Sequence, residues 1–401
     1  MVTDRRDFLV NGIQVACSLS LLGLMKESAL RKGKVGGKLP LERTLVVVQL
    51  SGGNDGLNML VPHRQDAYYR ARPTLALGRD RLHALGRGFG LHPQMGALAR
   101  LFEAGKVAAI HGVGYPIPNR SHFRSMEIWH TADPVNRVRD HGWLGKLLDR
   151  SCEDPARASM GAIHVGGREI PLALRGETSD PTAITDARGL QLRELQGFAS
   201  LRNGMTGSRT GEARESAYLR AVAEQSYRVS TRFSRAFERS EKADTPGYGL
   251  AQRLRLVAGL IEAGFGLRVL HLELTGFDTH AQQGRLHGAL LEELSESLSA
   301  FQLDLEARGI DDRVSTLVFS EFGRRAAENG SRGTDHGAAG PVLLVGSRVR
   351  PGLHGTPPDL EALQDGDVPF TTDFRSIYTA VEKDWMGVQT SMDLRPMELF
   401  V

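Results

Sequence analysis

The hydrophobic pattern of this chain alternates between two periods. Thr44-Leu45-Val46-Val47-Val48-Gln49-Leu50 is a continuous, largely β-branched run, the pattern of a strand buried on both faces of a parallel sheet. Val107 to Val113, Ala162 to Val165, Leu267 to Leu274, Val314 to Phe319 and Pro341 to Val345 read the same way. Helical spacing separates them. Gln94 to Ala104 places Met95, Leu98, Leu101 and Phe102 on one face, and Gln252 to Ala263 is amphipathic. Gly284 to Glu306 carries Leu290, Leu294, Leu298, Phe301 and Leu305 along one stripe. Thr372-Asp373-Phe374 has the form of an N-cap opening a last helix with Tyr378 and Val381. Strands alternating with helices predict an α/β fold, a doubly wound, mostly parallel sheet sandwiched by helices. Residues 186–245 break the rhythm: they are rich in Arg, Glu, Ser and Gly with weak helical periodicity. They read either as a small helical cap inserted between core elements or as helices packed on the sheet.

At 401 residues, 41% hydrophobic and 24% charged, the chain has globular composition and the length for one large α/β domain. Residues 40–401 are assigned to that domain. The formal charge is +3, and residues 1–36 alone hold an excess of three basic side chains. The rest is therefore balanced, with no basic stripe of the kind nucleic acids require. Asp4-Arg5-Arg6-Asp7-Phe8-Leu9 precedes a mildly apolar run from Val10 to Met25. That run is too short and too polar for a stable membrane span. Twin arginines before Phe-Leu read instead as a twin-arginine export signal, so the expected location is periplasmic or secreted and the export machinery is an expected partner. With only Cys17 and Cys152 in the chain, a mature form cut after the signal has no internal disulfide, and a large core must hold it.

Chemistry-bearing residues gather at predicted strand ends, where ligands bind in open α/β sheets. Asp55 lies in Ser51-Gly-Gly-Asn-Asp-Gly56, directly after the first strand. Asp278 and His280 are one residue apart in Phe277-Asp-Thr-His280, so in extended backbone they point the same way. Asp335 and His336 are adjacent in Gly333-Thr-Asp-His-Gly337, and His354 stands in Gly352-Leu-His-Gly355. Each alone is equally an ordinary polar turn. Together they offer carboxylates and imidazoles enough for a two-metal centre of divalent ions (Zn, Mg, Mn or Ca). Ser121 opens a predicted helix in Asn119-Arg-Ser-His-Phe123 and is either an N-cap or a nucleophile at the positive end of the helix dipole. Arg124, or Arg324, is a candidate clamp for anionic oxygens, and Glu321 sits at the same strand edge as a candidate ligand or supporting base. Cys152-Glu-Asp-Pro-Ala-Arg157 is one residue too long for a Cys-x-Pro-x-Arg sulfatase motif.

In this order the pieces resemble the alkaline-phosphatase and sulfatase superfamily. The resemblance implies a first ion held by Asp55, Ser121, Asp335 and His336 and a second by Asp278, His280 and His354. The phosphatases place the second-site histidine four residues after its aspartate; this chain has Gln282 there and His280 nearer. More closely, the chain is similar to the exported bacterial family called domain of unknown function 1501. The segments that carry this likeness are Ser51–Asn58, Asn119–Glu127, Gly276–His280, Ser320–Arg325 and Gly333–Gly337. The resemblance implies an exported metal-dependent hydrolase of phosphate-type esters, acting on a small-molecule or polymer substrate. The competing class is an exported binding protein that keeps the fold without catalysis.

Overall fold

The computed structural model describes residues 43–135, 139–152, 161–179, 181–185, 245–390 and 392–401. The expected export signal and, apart from residue 245, the expected 186–245 cap lie outside the described residues.

Strand β1 (Thr44–Ser51) leads into the one-turn helix α1 (Gly56–Met59), β2 (Leu60–Val61) and α2 (Asp66–Ala71). The hairpin β3 (His83–Gly86) and β4 (Phe89–Leu91) follows, then α3 (Gly96–Glu103) and β5 (Val107–Gly114). Next come α4 (His122–Thr131), α5 (Trp143–Cys152), β6 (Gly161–Val165) and β7 (Thr182–Ile184). The second half holds α6 (Gly249–Glu262), β8 (Leu267–Thr275), α7 (Gln283–Ala307) and β9 (Val314–Ser320). It ends with β10 (Gly340–Val345), β11 (Gly352–His354), β12 (Thr372–Asp373) and α8 (Phe374–Ala380).

The main sheet runs β11-β5-β10-β9-β1-β8-β6-β7, with β12 also on β5. All its pairings are parallel except those of β10, which is antiparallel to both neighbours. Helices α3, α6 and α7 cover one face with Val46, Val48 and Leu50 of β1, while α4, α5 and α8 cover the other with Leu45 and Val47. The sheet is thus the expected sandwich, and the solid runs of Val, Leu and Ile are its two-sided burial. The long stripe of α7 is realised with Leu291 fully buried and Leu290 at the margin of the core. The predicted Gln94–Ala104 helix opens instead as a 3-10 turn at Pro93–Met95, where His92 Nδ1 accepts from the Gln94 amide. The small sheet β2-β4-β3 is absent from the sequence reading, because strands of two to four residues carry no periodicity to detect.

Topology decides what meets what. β1, β8 and β9 are parallel neighbours, so the loops after Ser51, Thr275 and Ser320 leave at one edge. Because β10 alone runs backwards, the loop that enters it, carrying Asp335 and His336, reaches the same edge. β5 is antiparallel to β10, so its outgoing loop and the start of α4 arrive there as well. No described helix is long and apolar enough to cross a membrane.

Candidate metal centre

At that edge three imidazoles and one carboxylate converge. His122 is the first residue of α4, Asp278 and His280 follow β8, and His336 precedes β10. His336 Nε2 lies 3.1 Å from Asp278 Oδ1, His280 Nε2 lies 3.0 Å from the same oxygen, and His122 Nε2 lies 3.5 Å from it. His280 Nε2 and His336 Nε2 are 2.9 Å apart. Among the described residues, His122, Asp278 and His336 satisfy the mutual spacing expected of a cation-holding group.

Each ring's far nitrogen decides what its near nitrogen offers. His336 Nδ1 is 2.8 Å from the Arg120 carbonyl, His122 Nδ1 is 2.8 Å from Glu321 Oε1, and His280 Nδ1 is 3.2 Å from Asp335 Oδ1. Carbonyl and carboxylate oxygens only accept, so all three Nδ1 atoms carry the proton. In the neutral rings all three Nε2 atoms then present lone pairs to one another and to a carboxylate. His122 Nε2 is buried with no hydrogen-bond partner. A cation between His122, Asp278 and His336 would satisfy the buried, unpartnered His122 Nε2, and oxygen acceptors behind ligating histidines are the usual means of fixing their tautomer. The residues fit a divalent ion.

The surroundings fix the rings and set the charge. Phe322 packs against His122 and His336 at ring separations of 4.9 and 4.7 Å. Gly52, at φ +119°, lets the loop after β1 lie against the Asp278 backbone, where a Cβ would sit 2.4 Å from the Asp278 amide. Burial raises the Asp278 carboxyl, but the Arg324 guanidinium hydrogen-bonded to it outweighs this and holds it at about 2. It is a carboxylate at any ordinary pH. Half of its side chain, and 43% of that of His280, stays open to solvent, so the donor group has a mouth.

The expected ligands are redistributed. Asp278, His280 and His336, which the resemblance divides between two ions, lie together. Asp335 is close by but supports His280 through Nδ1; its carboxyl is lowered chiefly by a hydrogen bond from Asn329. Asp55 is a correction. It is fully buried, and its Oδ2 is taken by Arg72 Nη1 at 2.6 Å and by Gln283 Nε2. A guanidinium supplies the positive charge that an ion would have supplied. His354 is a second correction. β11 pairs with the first half of β5, and His354 sits opposite Ile110, four residues short of Gly114 at the edge. At about 3.3 Å per residue that leaves it roughly 13 Å away, and its Nε2 contacts the Arg350 carbonyl at 2.8 Å. Among the described residues, then, one ion site is assembled where two were expected.

Ser121 occupies the N-cap position of α4 and is exposed, but its side chain makes no capping hydrogen bond. It directly precedes His122. Arg124 points along its own helix to Glu127 Oε2 at 2.7 Å, which does not place it in the donor group. Arg324 is almost fully buried and spends its donors on the backbone carbonyls of Gly52, Gly53, Phe277 and Thr334 as well as on Asp278. It staples the loops together and is not free to clamp a substrate. His122 was missed by sequence reasoning; its one signal was its place beside Ser121 at a helix start. Arg72 and Gln283 belong to no motif and gave none.

A family model described as "Protein of unknown function (DUF1501)" matches residues 80–393. No curated protein matches the chain. Among solved structures, the chain is similar to the lipoteichoic acid synthase of Listeria monocytogenes at 8% identity and TM-score 0.42, covering 89% of this chain and 75% of that one. It is similar to a protein in the alkaline phosphatase superfamily from Vibrio parahaemolyticus at 12% identity and TM-score 0.33, covering 84% and 70%. It is also similar to an alkaline phosphatase from the Antarctic bacterium TAB5 at 10% identity and TM-score 0.35, covering 87% and 100%.

Proposed function

The chain belongs to the DUF1501 family, and we propose that this member is an exported metal-dependent hydrolase of phosphate-type esters. The observation that supports this most is the grouping of the His122 and His336 Nε2 atoms with Asp278 Oδ1, with His280 alongside and each ring fixed through Nδ1. His122, Asp278, His280 and His336 hold the ion. Three imidazoles favour a zinc-like transition ion over magnesium or calcium. When bound, the ion supplies Lewis-acid polarisation of an ester oxygen.

The chain's own residues complete the site. Ser121 is the proposed nucleophile: its hydroxyl carries no capping bond, and the N-terminus of α4 favours the alkoxide over the neutral group. Glu321, Asp335 and the Arg120 carbonyl keep the rings in one tautomer. Arg324 holds the loops of Gly52, Phe277 and Thr334 in register. The substrate is a small-molecule or polymer ester, and the twin arginines Arg5 and Arg6 deliver the protein to the periplasm or beyond. One observation favours a second reading. No general base is hydrogen-bonded to Ser121, which suits an exported binding protein that keeps the ion without turnover.

The test is metal content of the purified protein with an ester panel of phosphates, phosphonates and sulfates. One tightly held divalent equivalent per chain is expected, lost in His122→Ala, with hydrolysis of at least one phosphate-type ester. Metal without turnover leaves the binding protein. No metal, or metal unchanged in His122→Ala, overturns the centre.

A further inference from the structure

We infer that Gln283 is the positioning residue that ties the two ligand-bearing loops of the centre to each other. The inference rests on the metal-centre reading. Gln283 is fully buried at the first turn of α7. Its Oε1 accepts from Thr334 Oγ1 at 2.6 Å and from Thr279 Oγ1 at 3.1 Å. Thr279 stands between Asp278 and His280, and Thr334 is two residues before His336. One amide oxygen therefore holds both loops, using both its lone pairs.

The amide cannot turn over, because its Nε2 donates to Asp55 Oδ2, and Asp55 is fixed by Arg72. The line runs from Arg72 through Asp55 to Gln283 and divides to the two threonines, all of them buried. Only a neutral amide meets both demands. A carboxylate at this position would face Asp55, and an apolar side chain would take the shared acceptor from two buried hydroxyls and leave Asp55 Oδ2 with Arg72 alone. The backbone amides of Gln282 and Gln283 donate to Ser331 and Arg332, so α7 stays docked when the side chain is changed.

Supporting partners behind ligands typically contribute about 10–100-fold in metal affinity. Zinc and manganese, each titrated alone against a chromophoric chelator, give the dissociation constant of the folded protein. Gln283→Ala and Thr334→Val should each weaken it by about 10–100-fold, and Thr334→Ser should restore it, since it returns the hydroxyl without the methyl. A purely structural role would lower the melting temperature and leave the affinity of the folded fraction unchanged. Parent affinity in both Gln283→Ala and Thr334→Val, while His122→Ala loses the ion, overturns the positioning role and spares the centre. If His122→Ala also binds as the parent does, the centre falls and this inference with it. Should Gln283→Ala fail to fold, the Thr334 pair decides.

Discussion

Replacing Arg72 by methionine tests who owns the charge of Asp55. Both side chains are completely buried, and Arg72 Nη1 lies 2.6 Å from Asp55 Oδ2. Arg72 also donates to Asn58 Oδ1 at 2.8 Å, to the Ala326 carbonyl at 2.9 Å and to the Arg325 carbonyl at 3.0 Å. Methionine fills the space but leaves a buried carboxylate with only Gln283 as donor. Breaking one side of a buried pair destabilises by about 3–5 kcal/mol, and the orphaned carbonyls put this case at the upper end. Asp55→Asn in the same chain removes the uncompensated charge and should recover about 1–3 kcal/mol. The pH dependence has a definite sign. In the parent, burial raises the Asp55 carboxyl, but the Arg72 guanidinium, with the Gln283 amide, holds it below 3.8. Its contribution is present above the unfolded value and is lost as pH falls through the folded one. In Arg72→Met burial acts with its main opponent gone, the folded value rises above the unfolded one, and stability is lost as pH rises. The deficit of the variant must therefore widen from pH 4.5 to pH 7, read from urea unfolding. A deficit below about 1 kcal/mol at pH 7, or one equal at both pH values, would refute the argument. Recovery on adding zinc would show that Asp55 is an ion ligand after all.

Three further outcomes are expected. His92, His111, His130 and His287 are buried and held neutral, each lowered by burial to about 4; the unfolded chain binds protons first, so stability is full above pH 6.5 and falls towards pH 4 by about 1.4 kcal/mol per pH unit for each group. Urea midpoints that stay flat from pH 7 to pH 5 would contradict this. Ser121→Ala should abolish ester hydrolysis yet change stability by less than about 0.5 kcal/mol, because the hydroxyl caps nothing; full activity with a lowered melting temperature would make it a structural serine. Arg5→Lys with Arg6→Lys should strand the protein in the cytoplasm, since lysine keeps the charge without the guanidinium fork; normal periplasmic yield from that variant ends the export proposal.

The sheet was legible because strands buried on both faces leave uninterrupted apolar runs, and β1, β5, β8, β9 and β10 all fall where those runs predict. The edge holding the centre was legible for the same reason, since Asp278 and His280 sit just beyond one such run and His336 just before another. What motifs could not reveal was register and charge. His354 follows a strand like the others, but β11 pairs low on β5, a fact of three-dimensional pairing with no local trace. Asp55 lies in a glycine-rich loop as an ion ligand would, and only a distant arginine on the far side of α2 shows that its charge is already met. His122 was hidden by its neighbour: a serine at a helix start draws the eye, while the imaging of a lone pair into the centre depends on Glu321, nearly two hundred residues away.

Charge balance ties these observations together. Three carboxylates, Asp278, Glu321 and Asp335, contact the three rings, and one guanidinium, Arg324, contacts Asp278. With neutral imidazoles two negative charges are left over, which one divalent ion cancels. A second ion would have needed further carboxylate charge, and the one the motifs offer, Asp55, is already paired with Arg72. Two carboxylates that the motifs offer to metals are thus paired with arginines, Asp55 through Oδ2 and Asp278 through Oδ1. The charge cancelled at the centre leaves no excess of negative field to repel an anionic ester. That is the physical sense in which a chain carrying the motifs of a two-ion site can build a one-ion centre for the same class of substrate.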